Sequence, residues 1–380
     1  MNRCSLQNNT DINHALGDYD LESHKLSYNE LFPRIYNYCK SLGFEMNKIM
    51  PSQAFCSDEN QGYPIILMAK HFGIFPFNHG RVGGVMAAVR HAPYASHGKD
   101  MFIIQASHVG YIPEEQSFGQ YRRIRTEHKD NSLSCGRIAS VVDWYQHEYD
   151  FAKTTVFLQK KEGENYIVID NQLIDKSIEK GLILRMDRIA DNNNGDYIPH
   201  HSYSTSKCFK ASAEISHLFD MPEGKRPIGD DLLPEFFCFK RELDPIIEGI
   251  NMVEHNLLPY MPWIVSSRSP LLTAAKVNVQ VEFDRIFRTI VKEKAYHGKR
   301  LVYLAGLNID ISPDADQIFP TTMFVPWAMY VQTPDGEHEI IEQHRVVEIL
   351  KQQSTENPDQ IDLDEVINMM ERSKEVKAEE

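Results

Sequence analysis

Apolar positions recur along the chain with two periods, and their alternation sets out the expected elements. Leu31, Ile35, Tyr38 and Leu42 fall at helical spacing and the run stops at Gly43, so residues 26–42 are predicted to form a helix. Residues 48–55 read as a short buried strand ending in Cys-Ser-Asp-Glu, after which Pro64 opens an apolar helix, IILMAKHF, that Gly73 terminates. A Gly-rich stretch at 80–84 is read as tight packing. Two apolar runs bounded by turn signals follow it, VMAAVRHA and MFIIQAS, as expected of strands in a covered sheet. His108 comes directly after the second run, and residues 111–134 read as polar and irregular. Beyond Cys135-Gly136, the segment RIASVVDWYQHEY carries Ile138, Val141, Val142 and Tyr145 on one helical face.

Two β-like runs, TTVFLQ and YIVID, flank a polar turn, and residues 190–207 form a polar loop; residues 151–230 are read together as an insertion. Amphipathic helices are expected at 240–262 and 270–296, then a strand, RLVYLAGLNID. TMFVPWAMYVQTPDGEHEII reads as a hairpin around Pro334-Asp335-Gly336. The expected organisation is a polar lead at 1–24, one main domain at 25–350, and a charged tail at 351–380 with a helix over 363–373. Strands alternating with helices point to an α/β fold.

Composition narrows the function classes. A chain of 380 residues can bury one large core or two modest ones, and 25% charged residues is ordinary for a globular protein. The formal charge of −14 excludes broad nucleic-acid binding, which needs a basic footprint. No apolar run reaches the length of about 18 residues that a membrane span requires. The N-terminal stretch is polar and acidic past Arg3, without the apolar core of a secretory signal, so a cytoplasmic location is expected. Cys4, Cys39, Cys56, Cys135, Cys208 and Cys238 are too dispersed for a disulfide-stapled module, which leaves burial, nucleophilic chemistry or metal ligation.

Three of the chemistry-bearing residues fall at similar places. Cys56 follows one predicted strand, His108 another, and Cys135 opens a helix, whose N-terminus favours a thiolate. In open α/β sheets such positions converge outside the strand ends. Two thiolates and an imidazole suit a borderline-soft dication and leave a fourth tetrahedral position for water. The bland alternative is two buried core cysteines and a satisfied histidine. A nucleophilic cysteine with His108 as its base is a third reading. Asp58, two residues after Cys56, is a carboxylate able to orient a metal-activated water, and the cluster Arg122, Arg123 and Arg125 offers it a cationic partner. His79, His91, His97 and His128 are candidate proton shuttles by residue type alone, with a surface or packing histidine the simpler reading of each, and the pair His200-His201 reads as solvated.

The segments AFCSDE, HAPYASHGKDMFIIQASHVGYIPEE and YRRIRTEHKDNSLSCGRI, in this order and spacing, resemble the limiting-carbon-dioxide-inducible B/C family of theta-class carbonic anhydrases. RLVYLAGLNIDIS and FVPWAMYVQTPDG are similar to that family's C-terminal strands, so the resemblance runs over residues 25–345 apart from the insertion. It implies a mixed sheet flanked by helices like that of the beta class. It also implies Zn2+ on Cys56, His108 and Cys135, a homodimer with sites near the subunit interface, and reversible hydration of carbon dioxide to bicarbonate. Asp58 becomes the acidic member of an Asp–Arg dyad. Beta-class enzymes carry the arginine two residues after the aspartate; here that residue is Asn60, which leaves Arg122 as the best-fitting partner, then Arg123 and Arg137. Two other outcomes share the site: a catalytically silent scaffold closed by Asp58, and a carbonyl sulfide or carbon disulfide hydrolase.

Overall fold

The structure is a computed structural model and describes residues 19–45, 48–88, 100–123, 131–170, 181–191, 197–199, 206–246, 251–314 and 317–371. The chain divides into two compact units, one made of residues 19–135 and 279–371, the other of residues 136–246 and 251–278.

The first unit is built on a mixed eight-stranded sheet. Its strands are β1 (Leu26–Ser27), β2 (Ile49–Ala54), β3 (Phe77–Asn78), β4 (Asp100–Ile112), β5 (Leu301–Ile311), β6 (Thr321–Gln332) and β7 (His338–Glu342), with Ser117–Phe118 completing the set. The order is β1-β6-β5-β4-β2-β3, with β7 on β6 and Ser117–Phe118 on β4. Strands β5, β4, β2 and β3 run parallel, while β6 is antiparallel to its neighbours. Parallel strands need both faces covered, and β5 is accordingly buried almost end to end.

Helices α1 (Tyr28–Ser41) and α2 (Gly62–Phe72) cover one face. Ser27 starts α1: its N–H and hydroxyl donate to the Glu30 carboxylate at 3.4 and 3.0 Å. The spacing of Leu31, Phe32 and Ile35 points all three at the sheet, where they are fully buried, each contributing about 1.5–3 kcal/mol. Gly43 and Gly73, both in the left-handed region, end the two helices as the sequence leads one to expect. On the sheet's other side the ring of Phe283 stacks on Tyr303 of β5 at 5.4 Å.

The second unit holds α3 (Gly136–Thr155) and two small antiparallel sheets, of four and three strands. Residues 151–230 lie within it, and TTVFLQ and YIVID form its hairpin Val156–Lys161/Glu164–Ile169. The helix α4 (Pro270–Lys292) follows; α5 (Gln343–Gln352) and α6 (Leu363–Glu371) close the described chain.

Three elements differ from expectation. VMAAVRHA contributes only Val85–Met86 as strand, its last four residues lying outside the described residues. The helix expected over 240–262 is instead a series of short turns, Met252–Leu257, Leu258–Tyr260 and Met261–Val265, because Pro259 and Pro262 each remove a backbone donor. Strand β4 continues through His108 to Ile112, paired residue for residue with β5. No described helix is long and apolar enough to cross a membrane.

Candidate metal centre

The parallel pairing of β4 and β5 sets the site. His108 sits opposite Asn308 and Gly110 opposite Asp310, so the imidazole and the Asp310 carboxylate stand side by side in the sheet. His108 is therefore inside its strand rather than after it. The His108 Nδ1 lies 2.8 Å from Asp310 Oδ2, and both side chains are 0% exposed. Cys56 follows β2, the next strand over, and Cys135 immediately precedes α3 with φ of 55°, a left-handed conformation uncommon outside glycine.

The ligand atoms of Cys56, His108 and Cys135 all lie within 4.8 Å of one another, and all three residues are buried. His108 Nε2 is buried and makes no hydrogen bond. A buried ring nitrogen left unpaired beside two sulfurs is costly unless something else occupies the space between them. The donor set fits a dication: two soft sulfurs, and an imidazole whose far nitrogen is committed to a carboxylate, the arrangement that orients metal-bound histidines. Among the described residues no carboxylate joins the cluster.

The three groups shift one another's titration across the short distance between them. Hydrogen bonding from Cys135 draws the Cys56 thiol well below its usual range against the effect of burial, with His108 and the Gly83 N–H assisting. Cys135 is pushed up by the neighbouring Cys56 sulfur and by burial. Burial alone would lower His108, but Asp310 and then the two cysteines raise it well above its ordinary value. A dication would displace these protons and keep both sulfurs as thiolates.

The Gly-rich stretch packs against the site. Gly83 N–H donates to Cys56 Sγ at 3.2 Å, and a Cβ on Gly80 would lie 2.0 Å from the Phe55 carbonyl oxygen. Backbone approaches this close admit only glycine.

Asp58 is half-buried and accepts a hydrogen bond from the Asn60 N–H at 3.2 Å. Burial raises its pKa, partly countered by His108. Arg122 points to Glu114, at 3.4 Å, and is partly exposed. Arg123 donates to Glu59 at 3.0 Å and to the Tyr121 hydroxyl at 2.5 Å, and the charges of Glu59 and, more weakly, Asp58 reach it. Arg137 lies 3.9 Å from Glu254, in the second unit. His79 is fully buried, with Nδ1 2.9 Å from the Ala87 carbonyl; Arg125, His91, His97, His128, His200 and His201 fall outside the described residues.

Sequence reasoning missed Asp310 and Ser134, whose hydroxyl lies 3.1 Å from His108 Nδ1 and 3.3 Å from Asp310 Oδ2. The signal for Asp310 was a carboxylate inside an otherwise apolar strand, which needs buried partners.

No protein-family model matches the chain, and neither does any curated protein. Among solved structures it is similar to a single-substitution variant of PtLCIB4, a homolog of the limiting CO2-inducible protein LCIB. The TM-score is 0.51 at 12% identity, over 87% of this chain and 96% of that one. PtLCIB4 itself gives 0.49 at 12% identity, covering 88% and 98%, and LCIB gives 0.45 at 11% identity, covering 89% and 100%. At these identities the likeness is one of fold, and the fold is LCIB-like.

Proposed function

We propose that the protein is a zinc-dependent carbonic anhydrase that hydrates carbon dioxide reversibly to bicarbonate and a proton. The observation that carries this reading is the unpaired, buried Nε2 of His108, backed by Asp310 and set beside the Cys56 and Cys135 sulfurs. The sequence resemblance and the likeness of fold support it. Zinc held there would act as a Lewis acid and lower the pKa of a coordinated water toward neutrality, an effect that two thiolates moderate.

The chain's own residues do the rest. Cys56 and Cys135 would hold the metal as thiolates and His108 through Nε2, because Nδ1 is committed to Asp310. Three protein donors would leave a dication one position for water, and Asp58 is not part of the cluster that would hold it. Asp58 accepts a hydrogen bond from the reacting water and turns its lone pair toward the carbon of the substrate. An arginine steadies Asp58, Arg122 by the resemblance, with Arg123 beside it feeling the Asp58 charge. A homodimer belongs to the same reading and rests on the resemblance.

Stopped-flow carbon dioxide hydration on zinc-quantified protein tests the proposal. Hydration should need about one zinc per chain and fall by about 100-fold or more in Cys135→Ser and Asp58→Ala. Zinc-loaded protein that hydrates nothing at any pH would make it a silent scaffold. Turnover of carbonyl sulfide or carbon disulfide in place of carbon dioxide would make it a hydrolase.

A further inference from the structure

Asp310 is the hub of a buried network that leads away from His108 into the core. Its Oδ1 accepts from the Thr322 hydroxyl at 2.9 Å, and Gln61 Nε2 reaches both carboxylate oxygens, at 3.2 and 3.3 Å. Asn308 Nδ2 donates to Gln61 Oε1 at 2.5 Å, and the Tyr28 hydroxyl donates to Asn308 Oδ1 at 2.6 Å. Tyr28 and Gln61 are 1% exposed and Asn308 and Asp310 are 0% exposed.

The direction of this chain is dictated by chemistry. An ionised carboxylate only accepts, so Gln61 must present its NH2 to Asp310 and turn its carbonyl away. That carbonyl requires a donor, which fixes the Asn308 amide. The Asn308 carbonyl in turn requires the Tyr28 proton. A flip at any link would set two acceptors face to face without water to separate them, which buried groups do not tolerate. Gln61 bridges both oxygens and Thr322 holds one of them, so the carboxylate plane is pinned and Oδ2 stays aimed at His108 Nδ1.

Resting on the metal reading of the site, we infer that Gln61, Asn308 and Tyr28 are positioning residues. They form a one-way hydrogen-bond relay that holds His108 in the Nδ1–H tautomer and so presents its Nε2 lone pair to the metal. None of the three is a ligand. The first residue of α1 and the turn before α2 thereby act on the metal through strand β5.

Three readouts test this on the full chain: zinc affinity by competition with a chromophoric chelator, the ligand-field spectrum of the cobalt(II)-substituted protein, and the proton resonance of the His108 Nδ1–H bonded to Asp310 in the metal-free protein. Gln61→Leu should weaken zinc binding by about 10–100-fold, alter the cobalt spectrum and shift or broaden the Nδ1–H resonance. Tyr28→Phe should shift all three in the same direction by less. Unchanged affinity, cobalt spectrum and Nδ1–H resonance in Gln61→Leu would overturn the relay. Should Gln61→Leu fail to fold, Tyr28→Phe, which loses one hydroxyl and keeps its ring, decides on the same readouts. Wild-type protein that takes up neither zinc nor cobalt would overturn the metal reading, and the Nδ1–H resonance would then decide the relay by itself.

Discussion

At Gly84 the backbone has φ of 72° and an added Cβ would lie 2.0 Å from the Ala106 carbonyl oxygen, whereas around Gly62 nothing lies within 4 Å. The two positions should therefore respond oppositely to a methyl group. Gly84→Ala is expected to cost on the order of 3 kcal/mol or more, since neither the strand backbone nor the dihedral can yield. Gly62→Ala, at the start of α2, is expected to be neutral or to stabilise by about 0.5–1 kcal/mol. Urea titrations of the two variants check both. Single residues were also unequally legible in the sequence. Cys56, His108 and Cys135 could be singled out because soft donors are scarce and each sits at the edge of an apolar run. Gln61 carried no signal at all: its partners are 247 and 249 residues away, a separation that no local pattern encodes. Asp310 lay within sight, as the one carboxylate of an apolar strand, but without its partners it could not be assigned a task.

Among the elements, those with a clean period were read correctly from the sequence, α1, α2 and the β6–β7 hairpin included. Strand β4 was read only as far as Ser107, with Gln105 already inside it, because the polar Ser107 and His108 in succession close its apolar run. In the fold all three are buried, bonded to the Gly84 carbonyl, the Gly83 carbonyl and Asp310. Burial of polar residues with partners is invisible to hydropathy. The C-terminal segment shows the same blindness. Arg34 on α1 donates to the carbonyls of Leu350, Lys351 and Gln353, satisfying the end of α5, and Asn37 donates to those of Ser354 and Glu356. Asn357 then reaches His71 of α2 through the His71 carbonyl at 3.1 Å and Nδ1 at 3.2 Å. His71 is 5% exposed, and burial pushes its pKa from 6.5 down to about 4. The unfolded chain therefore binds more protons between these values, and stability falls as pH drops through that window. The loss should reach roughly 2 kcal/mol by about pH 5. His71→Gln should remove that part of the slope, read as the pH dependence of the urea midpoint in variant against wild type. Equal slopes would show that the imidazole does not titrate on unfolding.

For the whole molecule, a charge of −14 repels nucleic-acid phosphates, and no helix among the described residues is long and apolar enough to cross a membrane. A metal bound only by the folded chain adds its binding energy to stability, about 2.7 kcal/mol at a hundredfold excess over the dissociation constant. Zinc added to chelator-stripped protein should raise the melting midpoint by roughly 5–10 °C, and Cys135→Ser should show no such rise. The central place of β5 also has a consequence in time. His108 and Asp310 are 202 residues apart, and β5 lies between β4 and β6. At about 5–20 residues per second, a ribosome takes on the order of 10–40 s to pass from one to the other. Throughout that interval the nascent chain carries β4 with an open edge, inviting the wrong neighbour, and an imidazole with no carboxylate behind it. The segment 136–278 has meanwhile been made in full. The first unit is thus begun early and closed late, and the Cys56, His108 and Cys135 cluster gains its Asp310 backing only when the last third of the chain emerges.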